Sequence, residues 1–181
     1  MPPQVGDILL GKAQIAARVH ELGADLARAY AGREPVVVAI MKGCVLFLAD
    51  LIRAWDGPLG LEFVSAESYS GTQPGNLRLA LPPELGPRVA GRPVVVVDDI
   101  YDTGRTLTAV CGALETFMPA EVKTLVLLRK RRARPASPSL TPLRLPDWVG
   151  FEVPDRFVIG YGLDHNGRFR NLPYVAFLRE A

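Results

Sequence analysis

Cysteine, histidine and long apolar runs are all scarce in this 181-residue sequence, and each scarcity closes off a class of protein. The two cysteines, Cys44 and Cys111, form no Cys-x-x-Cys pair and stand in apolar, helix-like surroundings. They are expected to be buried free thiols of a cytoplasmic protein, not a disulfide frame or a zinc site. His20 and His165 have no metal-ligand partners at useful spacing. No apolar run approaches the ~20 residues of a membrane helix. The opening Met-Pro-Pro-Gln-Val-Gly-Asp has neither the basic nor the apolar region of a secretory signal, so no membrane partner is expected. Net charge is small as well, 21 Lys+Arg against 19 Asp+Glu, and with 49% hydrophobic residues this excludes disorder. A chain of this length buries roughly 70% of the surface its unfolded form exposes, enough for one core without staples. With no internal repeat and no long linker, a single domain over residues 1–181 is expected.

The charge that is present is unevenly placed. Arg129-Lys130-Arg131-Arg132-Ala133-Arg134 holds five basic residues, and without them the chain falls from +2 to −3. Such a cluster is more often a solvated loop than a nucleic-acid surface, and no nucleic-acid partner is expected. Four prolines, at 135, 138, 142 and 146, argue against regular structure after it.

Ile15, Val19, Leu22, Leu26 and Tyr30 recur at steps of three and four, which predicts an amphipathic helix over 11–30. Val36 to Met41 and Val94 to Val97 are continuous apolar runs, as in strands buried on both faces, and Val122 to Leu128 reads as another buried strand. Helices are predicted over 44–55 and 105–118, with further strands at 60–67, 78–81, 149–153, 157–160 and 174–178. Glu67 to Leu77 loses the apolar period and gathers turn residues, as an exposed loop does. The alternation implies an α/β fold, a parallel twisted sheet with helical crossovers.

Ligands collect at the carboxyl ends of such strands. Asp98 to Thr106 occupies one of these ends. In its second half, Asp102-Thr103-Gly104-Arg105-Thr106 offers a glycine for close backbone approach, two hydroxyls, and a helix start whose free N–H groups favour phosphate. It is not a Walker loop, because no Gly-Lys-Ser/Thr follows. Taken singly, Asp98 and Asp99 read as acids ending a strand and Asp102 as a helix cap. Three carboxylates around a phosphate cradle make more sense for a ligand that also carries hydroxyls, a divalent cation and a basic ring nitrogen.

Val94 through Leu107 resembles the phosphoribosyl pyrophosphate motif of the type I phosphoribosyltransferases, with Asp98 where glutamate is more usual. Met41-Lys42-Gly43 resembles the pyrophosphate loop of the hypoxanthine-guanine members. Ser68-Tyr69 resembles their mobile active-site loop, and Val149 through Asp164 their purine-binding hood. The resemblance implies the family's fold, with a core over about 30–130 and a small hood from the N-terminal segment and about 147–181. It also implies purine salvage: transfer of phosphoribose from phosphoribosyl pyrophosphate to hypoxanthine or guanine, giving IMP or GMP and pyrophosphate, with Mg2+ and in a homo-oligomer, a dimer or tetramer.

The roles it implies follow position by position. Asp98 and Asp99 hold the ribose hydroxyls and the metal. Asp102 faces N7 of the purine as general acid/base, and Thr103, Gly104, Arg105 and Thr106 enclose the 5′-phosphate. Lys42, Gly43 and Arg170 meet pyrophosphate. Lys130 donates to the 6-oxo group, with Arg129 or Arg131 as neighbouring candidates, and Phe157 stacks on the base. The Val158 backbone and Asp164 lie at its far edge, Asp164 also meeting a second magnesium. On their own, Phe157 reads more often as core and Lys42 as a surface strand end, while His165 lies beside Asp164 without an assigned act. Two other readings remain open. One is a pyrimidine-regulatory relative that transfers phosphoribose to uracil and binds messenger RNA, which tends to lack an acid at the position of Asp102 and lacks the hood. The other is a non-catalytic RNA- or nucleotide-binding module using the basic cluster.

Overall fold

The computed structural model describes residues 4–68, 77–131 and 143–179. In chain order the elements are β1 (Gln4–Leu10), α1 (Lys12–Ala29), β2 (Val36–Met41), α2 (Val45–Ala54), β3 (Gly60–Ser68), β4 (Leu77–Ala80), α3 (Leu85–Val89), β5 (Pro93–Tyr101), α4 (Arg105–Glu115), β6 (Glu121–Arg131), β7 (Trp148–Pro154), β8 (Val158–Ile159) and β9 (Val175–Arg179). Six strands form one sheet in the order β4-β3-β2-β5-β6-β7, and β1-β9-β8 form a second. Within the larger sheet every pairing is parallel except β3 with β4. The expected α/β architecture is present, a mostly parallel sheet flanked by helices with a small antiparallel sheet beside it.

The continuous apolar runs are explained by two cores, one on each face. Val37, Ala39, Val95, Val97, Leu125 and Leu127 pack under α1 and α2 against Ile15, Val19, Leu22, Leu26 and Phe47. Val36, Val38, Ile40, Val94, Val96 and Val126 pack under α3 and α4 against Leu85, Val89, Leu107, Val110 and Leu114. Alternate residues of one strand thus serve opposite cores, which is why Val36 to Ile40 and Val94 to Val97 carry no polar residue. Cys44 and Cys111 are both free and buried. Burial pushes the Cys111 thiol up to about 12, and the Cys44 sulfur donates to the Ile40 carbonyl at 2.9 Å.

Several boundaries differ from the sequence reading. β5 continues through Asp98 and Asp99 to Tyr101, because the β6 ladder carries on around them, with Asp98 opposite Val126, Ile100 opposite Leu128 and Tyr101 opposite Arg129. The two acids therefore sit in a strand, and the loop is only Asp102 to Gly104. β6 likewise runs on to Arg131, so Arg129, Lys130 and Arg131 are strand residues, and Arg132 and Arg134 lie outside the described residues. α4 stops at Glu115, and α3 was not anticipated, its five residues including Gly86 and Pro87.

The hood also begins later than expected. β7 pairs in parallel with β6, from Leu125 opposite Trp148 to Arg131 opposite Pro154, so 148–154 belong to the core sheet. Asp147 sets that register. Its carboxylate accepts from the Thr124 N–H and hydroxyl, each at 2.9 Å, and meets Lys123 at 2.9 Å. On the open edge of β7, Arg18 of α1 donates to the carbonyls of Val149 and Gly150, both at 3.0 Å, occupying acceptors that would otherwise invite another strand.

Burial of Asp147 works against its charge, but the Lys123 and Thr124 hydrogen bonds outweigh it and hold its carboxyl below the usual range. A group whose pKa is lower folded than unfolded contributes stability above the unfolded value, and that contribution disappears as pH falls through the folded one. At neutral pH Asp147→Ala should cost about 1–3 kcal/mol, the penalty of leaving buried donors unpaired. Urea titrations of both proteins should show the gap narrowing below pH ~4; a gap unchanged at low pH would rule out the ionised carboxylate as its cause.

Candidate active site

The carboxyl ends of β2, β3 and β5 open into a cavity of about 880 Å³ lined by Met41, Gly43, Ala66, Asp98, Asp99 and the loop Asp102 to Thr106, among others. Gly104 is the N-cap of α4 and adopts a left-handed conformation, φ 77. A Cβ there would lie 2.4 Å from the Tyr101 hydroxyl, so the turn needs glycine twice over, for its φ and for the ring beneath it. The first turn of α4 carries no acidic residue. Thr103 to Leu107 line the cavity, so the unpaired N–H groups of this helix start and the Thr103 and Thr106 hydroxyls are suited to an anion there.

Asp98 is 8% exposed and its Oδ1 accepts the Asp99 N–H at 3.0 Å. Burial raises both carboxyls above their ordinary value; for Asp98 the neighbouring Asp99 charge adds to it, whereas for Asp99 the hydrogen bond to Asp98 and the Arg170 charge pull the other way. Two like charges so close and so poorly solvated favour holding a proton between them, or a cation. Their oxygens are the hard donors a divalent cation such as magnesium prefers, and the cation would relieve the repulsion that burial aggravates. Asp164 does not join them. Its Oδ1 pairs with Arg170 Nη2 at 2.7 Å and its Oδ2 accepts the Gly167 N–H at 2.7 Å. Among the described residues no group of three or more His, Cys, Asp and Glu could hold a metal ion, so Asp98, Asp99 and Asp164 do not form one cluster.

The turn after β2 completes this side. The Met41–Lys42 peptide is cis, the Lys42 side chain is exposed, and a Cβ on Gly43 would fall 1.7 Å from Asp99 Oδ2. From the other direction, Gly162 (φ 99) rests on the Gly43 carbonyl so closely that a Cβ would lie 2.0 Å from it. Arg170 donates to the Gly162 carbonyl at 2.6 Å. Lys42, Gly43, Arg170 and Asp164 are thus gathered on one side of Asp99.

On the opposite side stands Lys130, only 12% exposed, with Nζ 3.2 Å from Asp102 Oδ2 and 3.6 Å from Asp155 Oδ1. The neighbouring candidates behave differently: Arg129 pairs with Glu152, and Arg131 is exposed at the strand end. Phe157 is not core. It is 48% exposed and meets the His165 ring edge-on at 5.4 Å between centroids. Val158 is buried in β8 and pairs with Phe177. Ser68 ends β3, while Tyr69 lies outside the described residues. The sequence reading passed over Tyr101 and Asp155, both inside segments it quoted; a lone aromatic in a strand and a lone acid after a proline carry no pattern of their own.

A family model for the phosphoribosyl transferase domain matches residues 6–166. The chain belongs to the phosphoribosyltransferase family. Within that family its relatives are of the hypoxanthine-guanine kind expected from the loop and hood segments. It is 34% identical over 181 residues to the hypoxanthine-guanine phosphoribosyltransferase of Bacillus subtilis, covering 100% of this chain and 97% of that protein. It is 36% identical over 173 residues to the hypoxanthine phosphoribosyltransferase of Haemophilus influenzae, with 93% of each covered. The crystal structure of a Bacillus anthracis hypoxanthine-guanine phosphoribosyltransferase superposes with a TM-score of 0.84 at 32% identity, over 98% of this chain and 99% of that one. A Trypanosoma cruzi hypoxanthine phosphoribosyltransferase in complex with the product IMP gives 0.84 at 34% identity, over 97% and 95%. A further structure of the Trypanosoma cruzi enzyme addresses the role of its C-terminal region in oligomeric state and activity.

Gly43 is the most sensitive point of this phosphoribosyltransferase site. Gly43→Ala forces either the turn or the Asp99 carboxylate to move by an ångström or more, and a displacement of that size is expected to lower kcat/KM by ~10²-fold. Steady-state kinetics on the folded variant would check it; activity within a few-fold of the parent would show that the turn has room to give.

Proposed function

We propose that this enzyme serves purine salvage by moving the 5-phosphoribosyl group from phosphoribosyl pyrophosphate to N9 of hypoxanthine or guanine, giving IMP or GMP and pyrophosphate. The observation that carries the assignment of roles is the Lys130–Asp102 pair, 3.2 Å apart, with Asp102 lining the cavity, together with a half-exposed Phe157. One donor and one acceptor at that spacing match the 6-oxo group and N7 of a purine, and the ring supplies a flat apolar platform for its face.

The remaining roles follow from charge and position. Thr103, Gly104, Arg105 and Thr106 enclose the 5′-phosphate at the start of α4. Asp98 and Asp99 hold the ribose hydroxyls and Mg2+. When bound, magnesium neutralises charge on the pyrophosphate as it leaves. Lys42, the Gly43 backbone and Arg170 receive that pyrophosphate, Arg170 through its planar fork. Asp102 takes the proton at N7 as N9 attacks the sugar carbon, which becomes positively charged while its bond to pyrophosphate breaks. The Val158 backbone and Asp164 line the far edge of the purine. Ser68, at the end of β3, helps keep water, a competing nucleophile, out of the site; Tyr69, given the same role, lies outside the described residues.

The whole chain acts as one domain in the cytoplasm, where its two free buried thiols stay reduced, and it works as a homo-oligomer, a dimer or tetramer, as the interest in oligomeric state in the Trypanosoma cruzi relative suggests. No helix among the described residues is long and apolar enough to cross a membrane. The uracil-transferring, RNA-binding alternative is not supported, since the relatives are named for hypoxanthine and guanine. The basic cluster that favoured an RNA surface is in part engaged elsewhere: Arg129 pairs with Glu152 and Lys130 with two aspartates.

Pyrophosphate release measured with hypoxanthine, guanine, xanthine, adenine and uracil is the direct test. Turnover is expected with hypoxanthine or guanine, and to be lost on chelating magnesium; no turnover with either 6-oxopurine would overturn the assignment. Asp102→Asn keeps the shape and removes the base. Its kcat should fall by ~10²-fold or more with nucleotide binding largely kept, and a near-parental rate would take Asp102 out of the mechanism.

A further inference from the structure

The assigned roles leave one carboxylate of the site without a task. Asp155 follows β7 directly, at the point where the chain leaves the core sheet for the hood, and its Oδ1 lies 3.6 Å from Lys130 Nζ. As a stabilising ion pair it has little to offer: its side chain is 47% exposed, and pairs this open contribute next to nothing to folding. Lys130, by contrast, is 12% exposed, so which way its ammonium points is decided by its partners and not by solvent.

We infer that Asp155 is a positioning residue for purine recognition, holding the Lys130 ammonium in place when the purine takes Asp102 away from it. The inference rests on the reading of Lys130 as the donor to the 6-oxo group. In the free site the ammonium is shared between Asp102 and Asp155. Once purine N7 engages Asp102, and more so once Asp102 carries the N7 proton and is neutral, Lys130 loses that counter-charge. Asp155 keeps it. An ammonium anchored by a carboxylate on its far side is a donor only, which suits a 6-oxo oxygen and mispairs with a 6-amino group.

The local backbone supports this placement. Lys130 is opposite Val153 and Arg131 opposite Pro154 in the β6–β7 ladder, so Asp155 emerges one residue past the last pair, beside the lysine. The Arg156 N–H turns back to the Pro154 carbonyl at 2.8 Å, and the Arg156 guanidinium lies 3.8 Å over the Phe177 ring, anchoring the next residue to the hood. Phe157 follows at once. Asp155 therefore joins the part of the site that reads the edge of the base, on the core sheet, to the part that stacks on its face.

The test is a steady-state kinetic cycle with Asp155→Asn, Asp155→Glu, Lys130→Met and the double variant Asp155→Asn/Lys130→Met, with circular dichroism to establish that each is folded. Asp155→Asn is expected to raise KM for hypoxanthine and guanine about fivefold or more while KM for phosphoribosyl pyrophosphate moves less than twofold, as loss of a charge-assisted contact at the base should. Asp155→Glu should restore most of it, and Asp155→Asn should add nothing once Lys130 is Met, because the two act as one unit. Full additivity, or an equal rise in KM for both substrates, would show that Asp155 acts elsewhere. If Lys130→Met leaves the purine KM unchanged, the reading of Lys130 falls and this inference with it. A Lys130→Met effect without an Asp155→Asn effect removes the inference alone.

Discussion

Two close approaches at Gly43 hold the site together. Its Cα faces the Asp99 carboxylate with no room for a side chain, and its carbonyl is covered by Gly162 of the hood with no room for a side chain there either. The turn after β2 is therefore the shared wall of core and hood. Asp99 is held in β5 between Asp98 and Ile100, which both pair with β6, so the turn takes its position from the core sheet; the hood takes its position from the turn. The Tyr161 hydroxyl donates to Asp50 Oδ2 at 2.6 Å and pins the same hood loop to α2, which starts just beyond Gly43. Each contact removes one way the two parts could drift, and a site assembled across them needs that, since misplacement by an ångström is costly.

Charge is arranged on the same plan on both sides of the cavity. Arg170 is bonded to Asp164 and lowers the carboxyl of Asp99, and Lys130 stands between Asp102 and Asp155. In each case a cation lies between a carboxylate at the strand ends of the core sheet and one from the segment after β7. A cation held this way is oriented before ligand arrives, and a ligand group can displace one partner without leaving the charge unpaired. Preorganised charge of this kind costs no rearrangement at the moment of reaction. Asp98 is the exception: its charged neighbour is Asp99, and burial raises both carboxyls. A pair so arranged suits an incoming cation better than an anion.

Most of the fold was legible in the sequence because burial on two faces leaves no choice of residue type. Val36 to Met41 and Val94 to Val97 could be read as strands because every side chain there enters one core or the other. The turn into α4 was legible too, since a glycine such as Gly104 has a conformational meaning just before a helix start. What stayed hidden depended on pairing across the sheet. Nothing local to Asp98 and Asp99 marks them as strand residues; their register against Val126 and its neighbours does. The segment at 148–154 has the same sequence whether it joins the core or the hood, and the choice is made by Asp147 reaching back to Thr124, more than twenty residues earlier. Short α3 is carried by Leu85 and Val89 entering the core, against the poor helix propensity of Gly86 and Pro87.

The basic cluster illustrates why charge read along the chain and charge read in space differ. Arg129, Lys130 and Arg131 are consecutive, yet in a strand consecutive side chains face opposite ways. Arg129 turns to Glu152 on β7, Lys130 to Asp102 and Asp155, and Arg131 to solvent at the strand end. One apparent basic patch thus becomes three environments with separate partners. Lys130 is distinguished from its neighbours by this alternation alone, which brings the only lysine of the cluster to the side where Asp102 ends the β5 turn and Asp155 begins the hood. An arginine at that place would present a broad planar fork to two carboxylates at once; the compact ammonium can turn from one of them to a single oxygen of a bound base.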